Sequence, residues 1–159
     1  MNGTAPVALD HAPVRIVAPI LFAIEYLIGA LIGMVWPLPA LGSPARWLAG
    51  GALIVPALLF GIASLVTMRR AGTSPNPHVA SAALVERGPY LLTRNPMYVS
   101  MVLIYSGVAC LFRATWVLVL MPLAVLAVDR WVIAPEERYL LHRFGDAYAA
   151  YCARVRRWI

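Results

Sequence analysis

Two long apolar runs constrain this chain more than any other feature: IVAPILFAIEYLIGALIGMVW at residues 16–36 and WLAGGALIVPALLFGIASLVTM at residues 47–68. A helix needs about 20 apolar residues to cross a hydrocarbon core. Lipid offers no partners to backbone N–H and C=O groups, so such runs must satisfy them internally, as helices. Two further runs follow, MYVSMVLIYSGVACLF at 97–112 and WVLVLMPLAVLAVDRWVI at 116–133, joined by a tight RAT connection. Each is slightly short, and together they read as a hairpin of spanning helices. Charged residues make up 13% of the 159 and apolar ones 62%, where soluble domains carry about 25% charged residues. That leaves too little polar surface to coat a soluble globule.

The expectation is therefore an all-α integral membrane protein, a single domain over residues 1–159 with four transmembrane helices. An amphipathic cytoplasmic C-terminal helix follows from the tail, APEERYLLHRFGDAYAAYCARVRRWI. In it Leu140, Leu141 and Phe144 can share one face, as can Tyr148, Tyr151 and Val155. The first run is too long for a signal-peptide core and the residues before it carry little positive charge, so no cleavable signal is expected.

The net charge of +6 comes from arginine alone, since the chain has no lysine. Its distribution sets an orientation. Arg46 and Arg113 lie in the two short turns on one side. Arg15, Arg69, Arg70, Arg87, Arg94, Arg130, Arg138, Arg143, Arg154, Arg156 and Arg157 fall on the other, eleven against two. The middle loop, the tail and both termini are expected to face the cytoplasm. Because these arginines flank apolar spans and form no solvated basic face, nucleic acid is not an expected partner; the membrane lipid bilayer is.

Cys110 and Cys152 sit in unlike contexts and read as free thiols. His11, His78 and His142 are scattered without ligand spacing, so no metal is expected. There is no glycine-rich phosphate loop and no GxGxxG. Gly29 and Gly33 form a GxxxG pair that lets helices approach closely. Glu25, mid-span, is a functional candidate by its position, or else a carboxyl bonded to a neighbouring helix.

The polar chemistry concentrates in RGPYLLTRNPMYVS, residues 87–100. Pro96 suits the first turn of a helix, so Asn95 lies at or beside the N-cap, where its side chain either caps a free N–H or turns to a ligand. Glu136 and Glu137 supply fixed negative charge of the kind a cationic ligand needs. They equally suit a helix N-terminus after Pro135, where carboxylates stabilise the dipole.

Residues 84–157 resemble the isoprenylcysteine carboxyl methyltransferase family, a group within the membrane phospholipid methyltransferases. The resemblance rests on Leu84-Val85, Gly88-Pro89-Tyr90, Arg94-Asn95-Pro96-Met97-Tyr98, Glu136-Glu137, Leu140, Phe144-Gly145, and Tyr148 with Tyr151, in order around a helical hairpin. It implies S-adenosylmethionine as cofactor, in a cytosol-facing pocket built from residues 72–98 with 129–157. Carried over by position, Leu84, Val85, Tyr90, Asn95, Pro96, Met97, Tyr98 and Glu136 contact the cofactor, and Arg94, Glu136 and Glu137 serve the reaction. Asn95 stands where many members carry His. It cannot titrate, so a proton-transferring role there is absent while a positioning role survives. The implied activity is methyl transfer to a lipophilic or small acceptor: a carboxylate, a thiol or an amine. Two other readings remain from sequence, a nicotinamide-dependent membrane reductase of related fold and a non-catalytic membrane protein.

Overall fold

The computed structural model describes residues 17–74, 79 and 81–159. Ile16, at the head of the first expected span, and His11, Arg15 and His78 lie outside the described residues. The described elements are helices and turns, with no strand among them.

Helix α1 spans Ala18–Val35 and α2 spans Ala45–Arg70. A 3-10 turn at Gly88–Leu91 leads to α3, Pro96–Phe112. Helix α4, Thr115–Val128, passes through a π turn at Asp129–Ile133 into α5, Ala134–Phe144, and α6 covers Asp146–Arg154. Three stretches are long and apolar enough to cross a membrane: Ala18–Val35, Ala45–Arg70 and Thr115–Phe144. Helix α3 is a shorter apolar helix of 17 residues, and at 1.5 Å per residue it reaches about 26 Å.

The fourth apolar run does not end at residue 133. Pro135 cannot donate to the carbonyl four residues back, and its ring crowds that carbonyl. The wider π turn absorbs the defect, with the Ala134 N–H bonded to the Asp129 carbonyl. Helix α5 thus continues α4, and Glu136 and Glu137 do not sit at a fresh helix start; this corrects the helix-dipole reading of the pair. The expected tail helix is divided as well. Gly145, at φ 52°, separates α5 from α6, a left-handed backbone that glycine adopts without a Cβ penalty. Tyr148, Tyr151 and Val155 form the expected cluster, joined by Leu84, Leu140 and Phe144. Leu141 stays exposed, because Tyr139 takes the buried side of α5.

Helix α2 packs along α3, and α1 along α4. Phe22, Val117, Val128, Val132 and Ile133 are fully buried between them. A Cβ on Gly29 would stand 2.8 Å from the Val117 backbone nitrogen, so α1 meets α4 at backbone distance there. Gly33 has only an ordinary contact, 3.7 Å to Trp116. At that end of the bundle the Trp116 indole donates to the Trp36 carbonyl at 2.6 Å and Thr115 to Pro39 at 3.0 Å. The opposite end, where α1 and α3 begin and α2 ends, carries the cavity described next.

Candidate functional site

A cavity of about 500 Å³ opens at this end. Its walls come from Val17, Ala18 and Pro19 at the head of α1; Met68 near the end of α2; Thr73 and residues between 81 and 98, with Met101 of α3; and Val132 of the π turn with residues of α5 and α6. The ten residues singled out from sequence, Leu84, Val85, Tyr90, Arg94, Asn95, Pro96, Met97, Tyr98, Glu136 and Glu137, all line it. The chain gathers them because the 3-10 turn at Gly88–Leu91 brings residues 84–95 back across the helix ends. Gly88 takes φ 58° there, lying close against Thr67 of α2.

Polar bonds fix the cavity wall. The Ser81 N–H donates to the Tyr139 hydroxyl at 3.1 Å, and Arg143 Nε to the Ser81 carbonyl at 2.5 Å. The Tyr151 hydroxyl donates to the Tyr90 carbonyl at 2.7 Å. Burial pushes the Tyr90, Tyr148 and Tyr151 phenols well above their usual range, with the Glu136 charge adding to Tyr90 and the Glu137 charge to Tyr148. All three stay protonated.

The two glutamates differ. Glu137 is tied down: Arg94 Nη2 lies 3.3 Å from its Oε1, and Arg157 Nη2 bonds its Oε2. Arg157 Nη1 reaches Asp129 Oδ2 at 3.0 Å, and the Trp158 indole donates to Asp129 Oδ1 at 3.0 Å. Hydrogen bonding to Glu137 holds the Arg157 guanidinium firmly charged. Arg94 also contacts the Cys152 thiol. Glu136 receives the Tyr98 hydroxyl at 2.9 Å on Oε2 and has no cationic partner among the described residues. Three carboxylates, Asp129, Glu136 and Glu137, thus face two guanidinium groups, Arg94 and Arg157. Of the three, Glu136 at the cavity wall is the one without a cationic partner among the described residues.

Asn95 lines the cavity but does not take the capping role. It occupies the N-cap of α3 without a side-chain capping bond. Its amide donates to the Arg157 carbonyl at 3.0 Å, so the capping alternative is corrected. Glu25 lies outside the cavity lining. It is buried, and neither carboxylate oxygen has a hydrogen-bond partner among the described residues, so the expected bond to a neighbouring helix is not formed. Both cysteines are free thiols. Sequence reading missed Ala18, Pro19, Met68, Met101 and Val132 as wall residues, because apolar residues inside apolar helices carry no local signal. It also missed Asp129, Arg157 and Trp158. An acid and a basic–aromatic pair 28 residues apart announce nothing until the fold joins them.

The fold and cavity define a helical membrane protein with a largely apolar pocket, holding Arg94, Glu136 and Glu137, at one end of its bundle. The chain belongs to the phospholipid methyltransferase family, which it matches over residues 45–147. It is thus an integral-membrane protein of a methyltransferase family. It is also similar to an uncharacterized protein from Haemophilus influenzae, 46% identical over 35 residues. That match covers 22% of this chain and 56% of the relative, so the chain spans little more than half the length of that protein.

Proposed function

We propose that the protein is an S-adenosylmethionine-dependent methyltransferase of the isoprenylcysteine carboxyl methyltransferase type. In this reading it is one domain with four spanning helices, α3 being the short one, a cytoplasmic amphipathic tail, and a cofactor site built from residues 72–98 with 129–157. The observation that carries the reading is Glu136: a cavity-lining carboxylate that accepts the Tyr98 hydroxyl and has no cationic partner among the described residues. The family match supports it and favours it over a nicotinamide-dependent reductase.

The cavity residues fit the cofactor. Glu136 offers an anionic acceptor to its ammonium, sulfonium or ribose hydroxyls. Leu84, Val85, Met97 and Met101 offer apolar surface to its adenine. Tyr90 and Tyr98 supply polar contacts beside them. When bound, the cofactor supplies an activated methyl group on a sulfonium. The chain's own contribution is to bind, align and exclude water, and alignment of that kind can be worth about 7–11 kcal/mol. Arg94 is a cavity-lining cation beside the pair of glutamates and suits an anionic acceptor. Asn95 does not titrate, and a carboxylate or thiolate acceptor needs no base at neutral pH.

The deciding experiment is calorimetric titration of the solubilised full chain with S-adenosylhomocysteine and, separately, NADPH. Binding of the first alone supports the proposal. Binding of the second alone supports a reductase, and binding of neither supports a non-catalytic membrane protein. A methyl-transfer screen with labelled cofactor against lipid extracts, small thiols and prenylcysteine analogues then identifies the acceptor. Orientation is tested with a cysteine placed at Ser43, which should label from the side away from the cytoplasm.

A further inference from the structure

We propose that Arg157 is a positioning residue that shapes the cavity from outside it. It fixes the Arg94–Asn95 turn and absorbs the charge of Glu137, leaving Glu136 as the carboxylate offered to a ligand. The proposal rests on the cofactor reading above and deepens it.

Arg157 is not part of the cavity lining, yet it bonds both sides of the wall. Its carbonyl accepts from Asn95 Nδ2 at 3.0 Å and from Thr93 Oγ1 at 2.9 Å, and the neighbouring Arg156 carbonyl accepts the Arg94 N–H at 2.9 Å. Three consecutive residues before α3 are thereby held to the chain's C-terminal segment. Thr93 is completely buried, so its hydroxyl would otherwise be left unsatisfied, at a cost. The Arg157 guanidinium reaches the other wall, bonding Glu137 of α5 and Asp129 of the π turn. Trp158 bonds the same Asp129. The segments before α3 and after α4, far apart in sequence, are therefore held together at Arg157.

The electrostatic consequence follows from the adjacency of Glu136 and Glu137. Two neighbouring carboxylates oppose each other's ionisation unless a cation compensates one of them. Arg157, with Arg94, compensates Glu137, whose side chain is only 14% exposed. A planar guanidinium can serve two carboxylates at once in fixed directions, whereas a lysine ammonium cannot reproduce that fork. Arg157→Lys should therefore restore part of what Arg157→Gln loses.

The test is hydrogen exchange, read by mass spectrometry on the ligand-free full chain in detergent, for wild type, Arg157→Gln and Arg157→Lys. The amides of residues 93–98 should exchange about tenfold faster or more in Arg157→Gln, with Arg157→Lys between, while the α2 amides at 57–64 remain as in wild type. S-adenosylhomocysteine affinity, measured by calorimetry, should fall about fivefold or more in Arg157→Gln and partly recover in Arg157→Lys. Unchanged exchange at 93–98 overturns the proposal. Faster exchange at 93–98 and 57–64 alike also overturns it, since Arg157 would then be a general stabiliser. Loosened 93–98 amides with wild-type affinity overturn the link to the ligand. If wild type binds no S-adenosylhomocysteine while exchange behaves as expected, the cofactor reading fails and the positioning of the turn by Arg157 stands.

Discussion

Where α1 meets α4, and α2 meets α3, the chain brings helices together by leaving side chains out. Around Glu137 it brings segments together by pairing charges and donors. A Cβ on Gly107 would lie 3.0 Å from the Gly50 carbonyl, and one on Gly29 2.8 Å from the Val117 nitrogen. At the cavity end, by contrast, the 81–95 segment, α5, α6 and the C-terminal residues are joined through Tyr139, Tyr151, Arg94 and Arg157. Lipid tails are as apolar as leucine, so helices inside a bilayer gain little from burial alone and depend on close packing. Hydrogen bonds and ion pairs at the helix ends are directional, and each can be exchanged for a bond to a ligand. The bundle is thus suited to holding a shape, and the cavity end to receiving a polar molecule against that shape.

The sharpest way to break this contrast is to add a side chain where the bundle has none. Gly29→Val should be the most damaging change to stability, costing about 2–3 kcal/mol by overpacking against the α4 backbone. Gly33→Ala, whose added methyl meets only an ordinary contact 3.7 Å from Trp116, should stay within about 0.5 kcal/mol. Thermal unfolding of the two variants in detergent compares them, and equal melting temperatures would refute close packing at Gly29.

At the cavity end the change should appear in binding while stability holds. Glu136→Gln removes the carboxylate that has no cationic partner among the described residues and should weaken S-adenosylhomocysteine binding by about 1.5–3 kcal/mol. Glu137→Gln should weaken it less and lower the melting temperature more, because Arg94 loses its carboxylate partner and Arg157 one of its two. Calorimetry paired with melting curves separates the two; matching profiles for both variants would show that the glutamates do not divide the work.

A smaller effect should follow from Tyr98→Phe, which keeps the ring and removes the hydroxyl that donates to Glu136 at 2.9 Å. The affinity should drop by about 0.5–1.5 kcal/mol, with the melting temperature close to wild type. Wild-type affinity in titration would mean that this hydroxyl does not orient the carboxylate.

The smallest effect belongs to Glu86→Gln. Its ion pair with Arg154, at 2.5 Å, is made by an arginine 66% exposed. Exposed pairs of this kind contribute about 0–1 kcal/mol, so stability and affinity should both stay near wild type. A large loss in either would extend the cavity's polar framework out to the surface.

Much of this protein was legible before folding. Apolar runs located the helices because lipid leaves the backbone no other way to satisfy its hydrogen bonds, and Pro96 marked the start of α3 because a missing N–H costs nothing in a first turn. The ten residues drawn from the family pattern proved to line one cavity. The local alternatives for Asn95 and for the glutamate pair went wrong for a common reason. Both assumed that nearby backbone would decide the side chain's partner, when a segment 62 residues away supplied it for Asn95.

The sequence by itself determined which stretches must be helical, where polar chemistry collects and which family pattern runs through residues 84–157. Those properties depend on hydrophobicity and on spacing within a few turns. Only the tertiary structure decided that α4 runs on through a π turn, that Arg94 and Arg157 pair with Glu137 and neither with Glu136, and that Arg157 joins the two walls of the cavity. Each of these depends on a charge or a carbonyl brought across the fold. Coulomb attraction and hydrogen bonding act through space over a few ångströms, and position along the chain carries no record of that distance.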